Sequence, residues 1–408
     1  MNKIGGFIRI NRLYNNMNLS SFAKLSGLSN SQISKIERNI EYANSNVCKK
    51  IALALNIDVD LYISQHSDIK SEFEKIYKIL YYDYNKKNLD EKINEFNSTF
   101  RTQYVSVGTE LLNLIFLIKE NNNNSMEIEK NIKLLDSVID SSNVIYQKKY
   151  YTYVGYYKCM HHSLNQGIEL LLKAQKINGD SIDNSMINFF LGKAYIERDQ
   201  ILKAYYYIYK SIEDFNSTNN FVYVSLANAE MAKILCHCGE YDDAIKLIKH
   251  CMDVYDRLNL YEEEKFNLFI GLIYINIIKG DFSRAYELLE KFSNKNDIQL
   301  YNRFHEYILY KLIVLYETNN INEFSSLCLR IKDKCYETDA IDNLILYYCN
   351  KSSTKDIRLK YLHQCSSLIR KYFEFSKIHL LIVPLVKESE SFIQISYLNE
   401  ILLDRYML

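Results

Sequence analysis

A single proline, Pro384, stands in a chain of 408 residues that also holds only 11 glycines. Proline breaks helix interiors, and glycine supplies much of the turn chemistry that joins β-strands. A chain this poor in both has little to interrupt a helix and little with which to turn one strand back on another. Hydrophobic residues make up 48% of the sequence, enough for a packed core and against global disorder. The expected fold class is all-α.

Apolar positions in the first 57 residues fall into five short helical patterns. Helix one covers about Lys3 to Asn16, with Ile4, Phe7, Ile8 and Leu13 at helical spacing. Helix two follows Asn18, a good N-cap, and is expected to turn Phe22, Ala23 and Leu25 inward before Gly27 ends it. Ser29 reads as the N-cap of helix three, whose buried face holds Ile33 and Ile36. Helix four spans about Ser45 to Leu55, and a short fifth piece lies near Asp58 to Ile63. These 57 residues carry eight basic and two acidic side chains, a net of +6, in a chain whose total charge is zero. A small basic module on an acidic body is the electrostatic signature of a head that meets a polyanion.

The run MNLSSFAKLSGLSNSQISKIERN, followed by VCKKIALALNIDVDLY, resembles the Xre/Cro-type helix-turn-helix of phage and plasmid repressors. The resemblance is carried by Ala23, by Ser26-Gly27-Leu28-Ser29 at the turn, and by Ile33, Ser34, Ile36 and Glu37 in the third helix. It departs at Leu19, where Gln commonly opens helix two, and at Asn39, which replaces a Gly but also tolerates left-handed backbone. The resemblance implies that helix three enters the major groove of double-stranded operator DNA. It makes Asn30, Ser31 and Lys35 the base readers, with Gln32 and Ser34 near the backbone. Asn pairs bidentately with adenine, and Lys donates to guanine O6 and N7. Ser29, Arg9, Lys24 and Arg38 are the phosphate candidates. For any one of these residues the bland alternative is a solvated helix face.

From about Asp68 the chain reads as helix after helix, with joints at 85–88, 121–125 and 178–181. GEYDDAIKLIKHC (239–251) and GDFSRAYELLEKF (280–292) share one frame, and DQILKAYYYIYKS (199–211) and NNINEFSSLCLRI (319–331) keep it with poorer chemistry. A small or apolar anchor recurs at Gly167, Ala204, Ala244, Ala285 and Phe324, at spacings of 37, 40, 41 and 39. A second column, Gly155, Gly192, Ala232 and Gly271, is expected where the two helices of a hairpin approach closely, with Tyr195 and Tyr274 filling the next gap. The pattern looks like the tetratricopeptide repeat, with helices longer than in the usual unit of about 34 residues. It gives five repeats between 150 and 331, and weaker pairs at 68–141 and 340–405.

Asn188, Asn228 and Asn267 form a third column, each four residues before the small residue of the second. An Asn side chain both donates and accepts, so an array of them suits the backbone of one extended peptide. The alternative is that these asparagines cross-link neighbouring helices. Lys193, Glu197, Lys233, His237 and Asn276 lie one helical face over and are the candidates for side-chain specificity.

A helix-turn-helix over 1–66, followed by a tetratricopeptide-like α-solenoid over 67–408, resembles the RRNPP-type peptide-pheromone receptors of Gram-positive bacteria and their phages and plasmids. The resemblance implies a cytoplasmic homodimer, and no cofactor is expected. A short signalling peptide, the currency of quorum sensing, binds the groove of the repeats and re-spaces two DNA-reading heads. The dimer surface is expected in the C-terminal helices, about Leu380 to Leu403. A body that binds a protein partner, such as an antirepressor or RNA polymerase, is the open alternative. An enzyme is not expected: Cys236-His237-Cys238 and His161-His162 invite a metal or thiol role, but the Cys-x-Cys spacing has no partner pair, and no Walker A, GxGxxG, HExxH or GxSxG motif occurs. The nine cysteines form no even framework, and no apolar run reaches the roughly 20 residues of a membrane span, so reduced thiols and no membrane partner are expected.

Overall fold

A computed structural model describes residues 4–82, 89–100, 104–119, 125–161, 163–258, 262–291 and 304–372, with Leu381 and Leu385. Among the described residues there is no strand, and the regular elements are twenty α-helices with short 3-10 turns. The all-α expectation is met: a helix-turn-helix head precedes tetratricopeptide-like hairpins. The chain forms two compact units, Met1–Ile187 and Asn188–Leu408.

In the first unit, α1 (Gly5–Tyr14), α2 (Leu19–Ser26), α3 (Asn30–Glu37) and α4 (Ser45–Leu55) make the head. Its helix ends are written in the sequence. Asn18 accepts from the Ser21 N–H, Ser29 from Gln32 N–H and Asn44 from Val47 N–H, each closing an otherwise orphan donor. Gly27 closes α2 with φ of 63°, and Asn39 follows α3 with φ of 57°, the left-handed region in both cases. Leu25 is not part of the core: α2 buries Phe22, Ala23 and Ser26, and Leu25 on the neighbouring flank is 61% exposed. Gly5 sits where a Cβ would lie 2.3 Å from the Ile36 carbonyl, so only glycine lets α1 start against the end of α3.

The fifth helix is not a short piece. It runs as α5 from Val59 to Tyr82, 24 residues, because nothing in the sequence stops it and its apolar stripe continues through Ile69, Phe73, Ile76 and Leu80. One continuous helix therefore crosses position 66. The unit continues with α6 (Leu89–Phe100), α7 (Val107–Lys119), α8 (Ser125–Asp136), α9 (Val144–Met160) and α10 (Leu164–Lys176), and with the start of α11 (Ser181–Glu197).

The second unit takes in the rest of α11, then α12 (Ile201–Ser217), α13 (Phe221–His237), α14 (Tyr241–Leu258), α15 (Glu262–Lys279), α16 (Phe282–Glu290), α17 (His305–Glu317), α18 (Ile321–Ile331), α19 (Ala340–Cys349) and α20 (Lys355–Tyr372). Five of the turns after these helices share one device. Asp199, Asn219, Gly239, Gly280 and Asn319 each take positive φ one or two residues past a helix end. The anchors Gly167, Ala204, Ala244 and Ala285 are buried in their second helices, while Phe324 is half-buried. The close-approach column holds at Gly155, where a Cβ would lie 2.9 Å from Leu171, and at Gly192, 2.5 Å from Ile208. It fails at Gly271, where nothing lies within 4 Å. The dimer surface expected at Leu380 to Leu403 lies outside the described residues except for Leu381 and Leu385, both buried.

The head is held together by a buried ion pair. Arg12 on α1 reaches Glu37 at the end of α3 through Nε–Oε1 at 2.6 Å and Nη2–Oε2 at 2.9 Å, and its Nη1 donates to the Met17 carbonyl at 2.7 Å. Both side chains are nearly inaccessible, so removing one partner strands the other as a buried charge. Glu37→Ala should destabilise the first unit by about 3–5 kcal/mol in urea denaturation. The double change Arg12→Met with Glu37→Leu should recover most of that loss. A single change within ~0.5 kcal/mol of the parent would show that the pair does not hold the head.

Candidate DNA-reading face and ligand cavity

The third helix presents a polar face with little to satisfy it within the chain. Ser29, Asn30, Ser31, Lys35 and Arg38 are exposed, Gln32 and Ser34 are half-buried, and Ile33, Ile36 and Glu37 face the core. Asn30 makes a long bond of 3.3 Å to Ser20, and Gln32 one of 3.3 Å to Glu41. Arg38 folds back on its own helix, donating to the Ser34 carbonyl at 3.1 Å and hydroxyl at 2.9 Å. Lys24 is exposed on α2. Arg9 is half-buried, and its Nε is buried with no hydrogen-bond partner. The α3 residues, Ser29 and Arg38 thus lie together on one short element, and Lys24 and Arg9 project from the helices that support it.

This head is bonded to the helices that follow it. Asn11 on α1 donates to the Val105 carbonyl at 2.7 Å and accepts from the Val105 N–H at 2.9 Å, while itself 2% exposed. Asn39 accepts from Gly5 N–H at 2.8 Å and donates to the Ser141 carbonyl at 3.1 Å. Phe7 stacks on Tyr62 of α5 at 3.7 Å between ring centroids, and Tyr104 meets Phe7 edge-on at 5.4 Å. Sequence reading passed over Asn11 and Arg12. Their signal was a polar and a charged residue on the apolar side of α1.

In the second unit a cavity of about 390 Å³ opens among α13, α14, α15 and α17. Ile248, Leu268, Ile270 and Ile275 give it apolar walls, and Glu230, Lys233, His237, Asn267 and Glu306 add polar groups. Gly271 lines it, which explains the empty space at that position. Gly155, Gly192 and Ala232 each stand five residues before the last residue of their helix, whereas Gly271 stands eight before Lys279. Three extra residues move Gly271 most of a turn away from the hairpin contact. Tyr274, also on the lining, has a buried hydroxyl with no hydrogen-bond partner. Burial first, and then Cys236 and Tyr241, hold its pKa well above the phenol range, so it stays a neutral donor.

Of the residues singled out for ligand contact, Lys233, His237 and Asn267 line this cavity. Asn228 is half-buried on α13 outside it, and Lys193 and Glu197 are half-buried on α11. Asn188 is 2% exposed and donates to Asp214 of its hairpin partner α12 at 2.8 Å. Asn276 is 4% exposed and donates to the Leu272 carbonyl one turn back. His237 lies 3.6 Å from Asp199, and burial holds its imidazole below the ordinary pKa against the pull of Asp199 and Glu197. Sequence reading missed Glu230, Glu306 and Tyr310 as lining, and took Gly271 and Tyr274 as packing. Burial pushes the Cys236 thiol up to about 12, so it behaves as a small core residue. His161 packs on Tyr157 with centroids 4.3 Å apart, and His162 lies outside the described residues. Among the described residues no helix is long and apolar enough to cross a membrane.

Residues 8–62 match the helix-turn-helix family model. No curated protein sequence matches the chain. Among solved structures, a Rap protein complexed with Competence and Sporulation Factor is similar at 11% identity and a TM-score of 0.67, over 84% of this chain and 99% of that one. NprR in complex with its cognate peptide NprX is similar at 16% identity and a TM-score of 0.57, over 78% and 98%. The AimR protein phAimR is similar at 12% identity and a TM-score of 0.50, over 98% and 99%. At these identities the likeness is one of fold. The resemblance seen in the sequence is borne out in the head by the family model and in the body by that fold.

Gly271→Leu places a side chain into open space and removes a glycine from a helix interior. Thermal melting should hold or rise, by up to about 1 kcal/mol of stability, while the cavity fills. A clear loss of stability would show that the space is not open.

Proposed function

We propose that this protein is a peptide-responsive transcriptional regulator that works in the cytoplasm as a homodimer. Residues 1–66 supply the DNA-binding part, and 67–408 the ligand-binding and dimer-forming part. The observation that carries the reading is the capped third helix, with its exposed Asn30, Ser31 and Lys35, inside a segment that matches the helix-turn-helix family. Two such helices must lie about 34 Å apart to enter successive major grooves on one face of DNA. A ligand that binds one arrangement of the dimer better than another biases that spacing by its difference in affinity.

The ligand reading rests on the cavity and on fold. A mostly apolar hollow with a few polar groups and one unpaired buried hydroxyl is the form of a small-ligand or peptide side-chain site. NprR, which shares the fold, is a complex with its cognate peptide. A short peptide laid across α13, α15 and α17 would place one apolar side chain in the hollow and one backbone carbonyl at Tyr274. Asn267, Lys233 and His237 would contact its flanks. The second reading keeps the DNA-binding head and gives the repeats a protein partner.

The test is footprinting of the purified protein on its own upstream DNA, with and without short peptides encoded beside the gene. A two-fold symmetric footprint that changes with one peptide is the expected result. Lys35→Ala should weaken operator binding by roughly 5- to 150-fold, or about 1–3 kcal/mol, and relax preference at one base position. Lys24→Ala should weaken all sequences alike and lower the salt dependence. Gly271→Leu should keep the footprint and lose the peptide response. A footprint indifferent to every peptide turns the reading to a protein partner, and no footprint from folded protein overturns it.

A further inference from the structure

Among the described residues, one set of three metal-ligating side chains converges closely enough to share an ion. His305 opens α17, Asp339 is the N-cap of α19, and Asp342 lies in the first turn of α19. One ligand atom from each lies within 4.8 Å of the other two. His305 and Asp339 are half-buried and reachable from solvent, while Asp342 is fully buried. Asp339 Oδ1 caps the helix by accepting from the Asp342 N–H at 2.9 Å. Asp342 Oδ2 accepts from the Tyr336 N–H at 2.9 Å, and its Oδ1 stands 3.6 Å from His305 Nδ1.

That last distance separates two readings of the cluster. A histidine hydrogen-bonded to a carboxylate closes to about 2.7–2.9 Å. Two ligands on a tetrahedral ion with bonds of about 2.1 Å stand about 3.4 Å apart, close to what His305 and Asp342 show. A second observation comes from Asn343, which is fully buried. Its Nδ2 donates to the carbonyls of Glu337 at 2.9 Å and Asp339 at 2.7 Å, which fixes the amide on the loop that carries Asp339. Its Oδ1 is buried with no hydrogen-bond partner among the described residues. A buried acceptor left unmet beside two carboxylates and an imidazole calls for a donor such as metal-bound water.

We propose that His305, Asp339 and Asp342 form a binding site for a divalent transition-metal ion of the zinc class. One imidazole nitrogen and two carboxylate oxygens are the donor set that such ions take, whereas calcium and magnesium prefer oxygen alone. Three protein ligands leave the fourth position of a tetrahedral ion to water. The ion ties the start of α17 to the start of α19. It thereby fixes the residue directly before Glu306, which lines the cavity. Metal binding of this kind stabilises the folded state, because the unfolded chain has no such site.

The test uses the full chain, stripped with a chelator and then dialysed against zinc sulfate or cobalt chloride. The expected result is one ion per chain and a raised melting temperature. Cobalt should give visible ligand-field bands without thiolate-to-metal charge transfer, which excludes the nine cysteines as ligands. His305→Ala should weaken zinc by at least about 10-fold. Asp339→Asn should do the same while keeping the helix cap, since Asn caps as well as Asp. His250→Ala, on the exposed side of α14, should leave binding unchanged. Should His305→Ala fail to fold, the cap-preserving Asp339→Asn and the cobalt spectrum of the parent chain still decide the matter. No ion retained by the parent chain, a dominant thiolate band, or equal binding by the folded variants, which would mean an adventitious ion only, would each overturn the proposal.

Discussion

An asparagine side chain is a peptide group in miniature, and the first unit depends on one that binds a real peptide group. Asn11 takes both the N–H and the carbonyl of Val105, at 2.9 and 2.7 Å, in a setting closed to water. Without it two backbone groups would be left buried and unpaired, which costs far more than the bonds are worth on a surface. The Phe7–Tyr62–Tyr104 cluster seals the same seam. On the other side of α1, Arg12 grips Glu37 at the end of α3. Helix α1 is therefore a coupling bar, fixed to the segment before α7 at one residue and to the reading helix at the next. Asn39 repeats the arrangement from α3's own end, bonding to Gly5 and Ser141.

That construction bears on how a signal would reach DNA. A head on a flexible tether can be re-aimed with little work. Here α5 runs unbroken from the head into the helices beyond it, and the two asparagines pin what the helix leaves free. On the proposed reading, the aim of α3 can change only as part of the unit that carries it. The relevant motion is then one between helical hairpins, which touch mainly their neighbours and can add small adjustments along the array.

Much of this was legible in the sequence, and for identifiable reasons. Caps are local, so Asn18, Ser29 and Gly27 announced the ends of α2 and α3 correctly. The turn frame of the repeats is also local, and Asp199, Gly239, Gly280 and Asn319 supply it. Helix α5 outruns the short piece expected near Asp58 to Ile63 because no proline or glycine follows Ile63 before Tyr82 and the apolar stripe continues. Asn11 was overlooked because its partner lies 94 residues away, and no local pattern marks such a bond. Asn188 stands at repeat spacing with Asn228 and Asn267, yet it is buried and donates to Asp214 of its hairpin partner, which is the helix cross-link that was the alternative, while Asn267, three residues farther from its helix end than the other two, lines the cavity.

Register is also what makes the cavity. In the pairs led by α9 and α11 a glycine five residues from the helix end lets the second helix close in, and Leu171 or Ile208 fills the place a side chain would take. Helix α15 keeps its glycine at nearly the same spacing in the sequence but carries it three residues farther from the turn. The second helix then meets a different part of α15, and Gly271 is left facing a hollow with no neighbour to fill it. Tyr274 occupies the position five residues from the end and buries its hydroxyl beside that hollow without a partner. Packing alone gives no reason to keep either feature, since a larger residue at 271 would fill the space and Phe at 274 would remove an unpaired polar group. A void and an unmet donor at the same place are each unfavourable in the empty protein, and a ligand with an apolar side chain and a carbonyl would resolve both together.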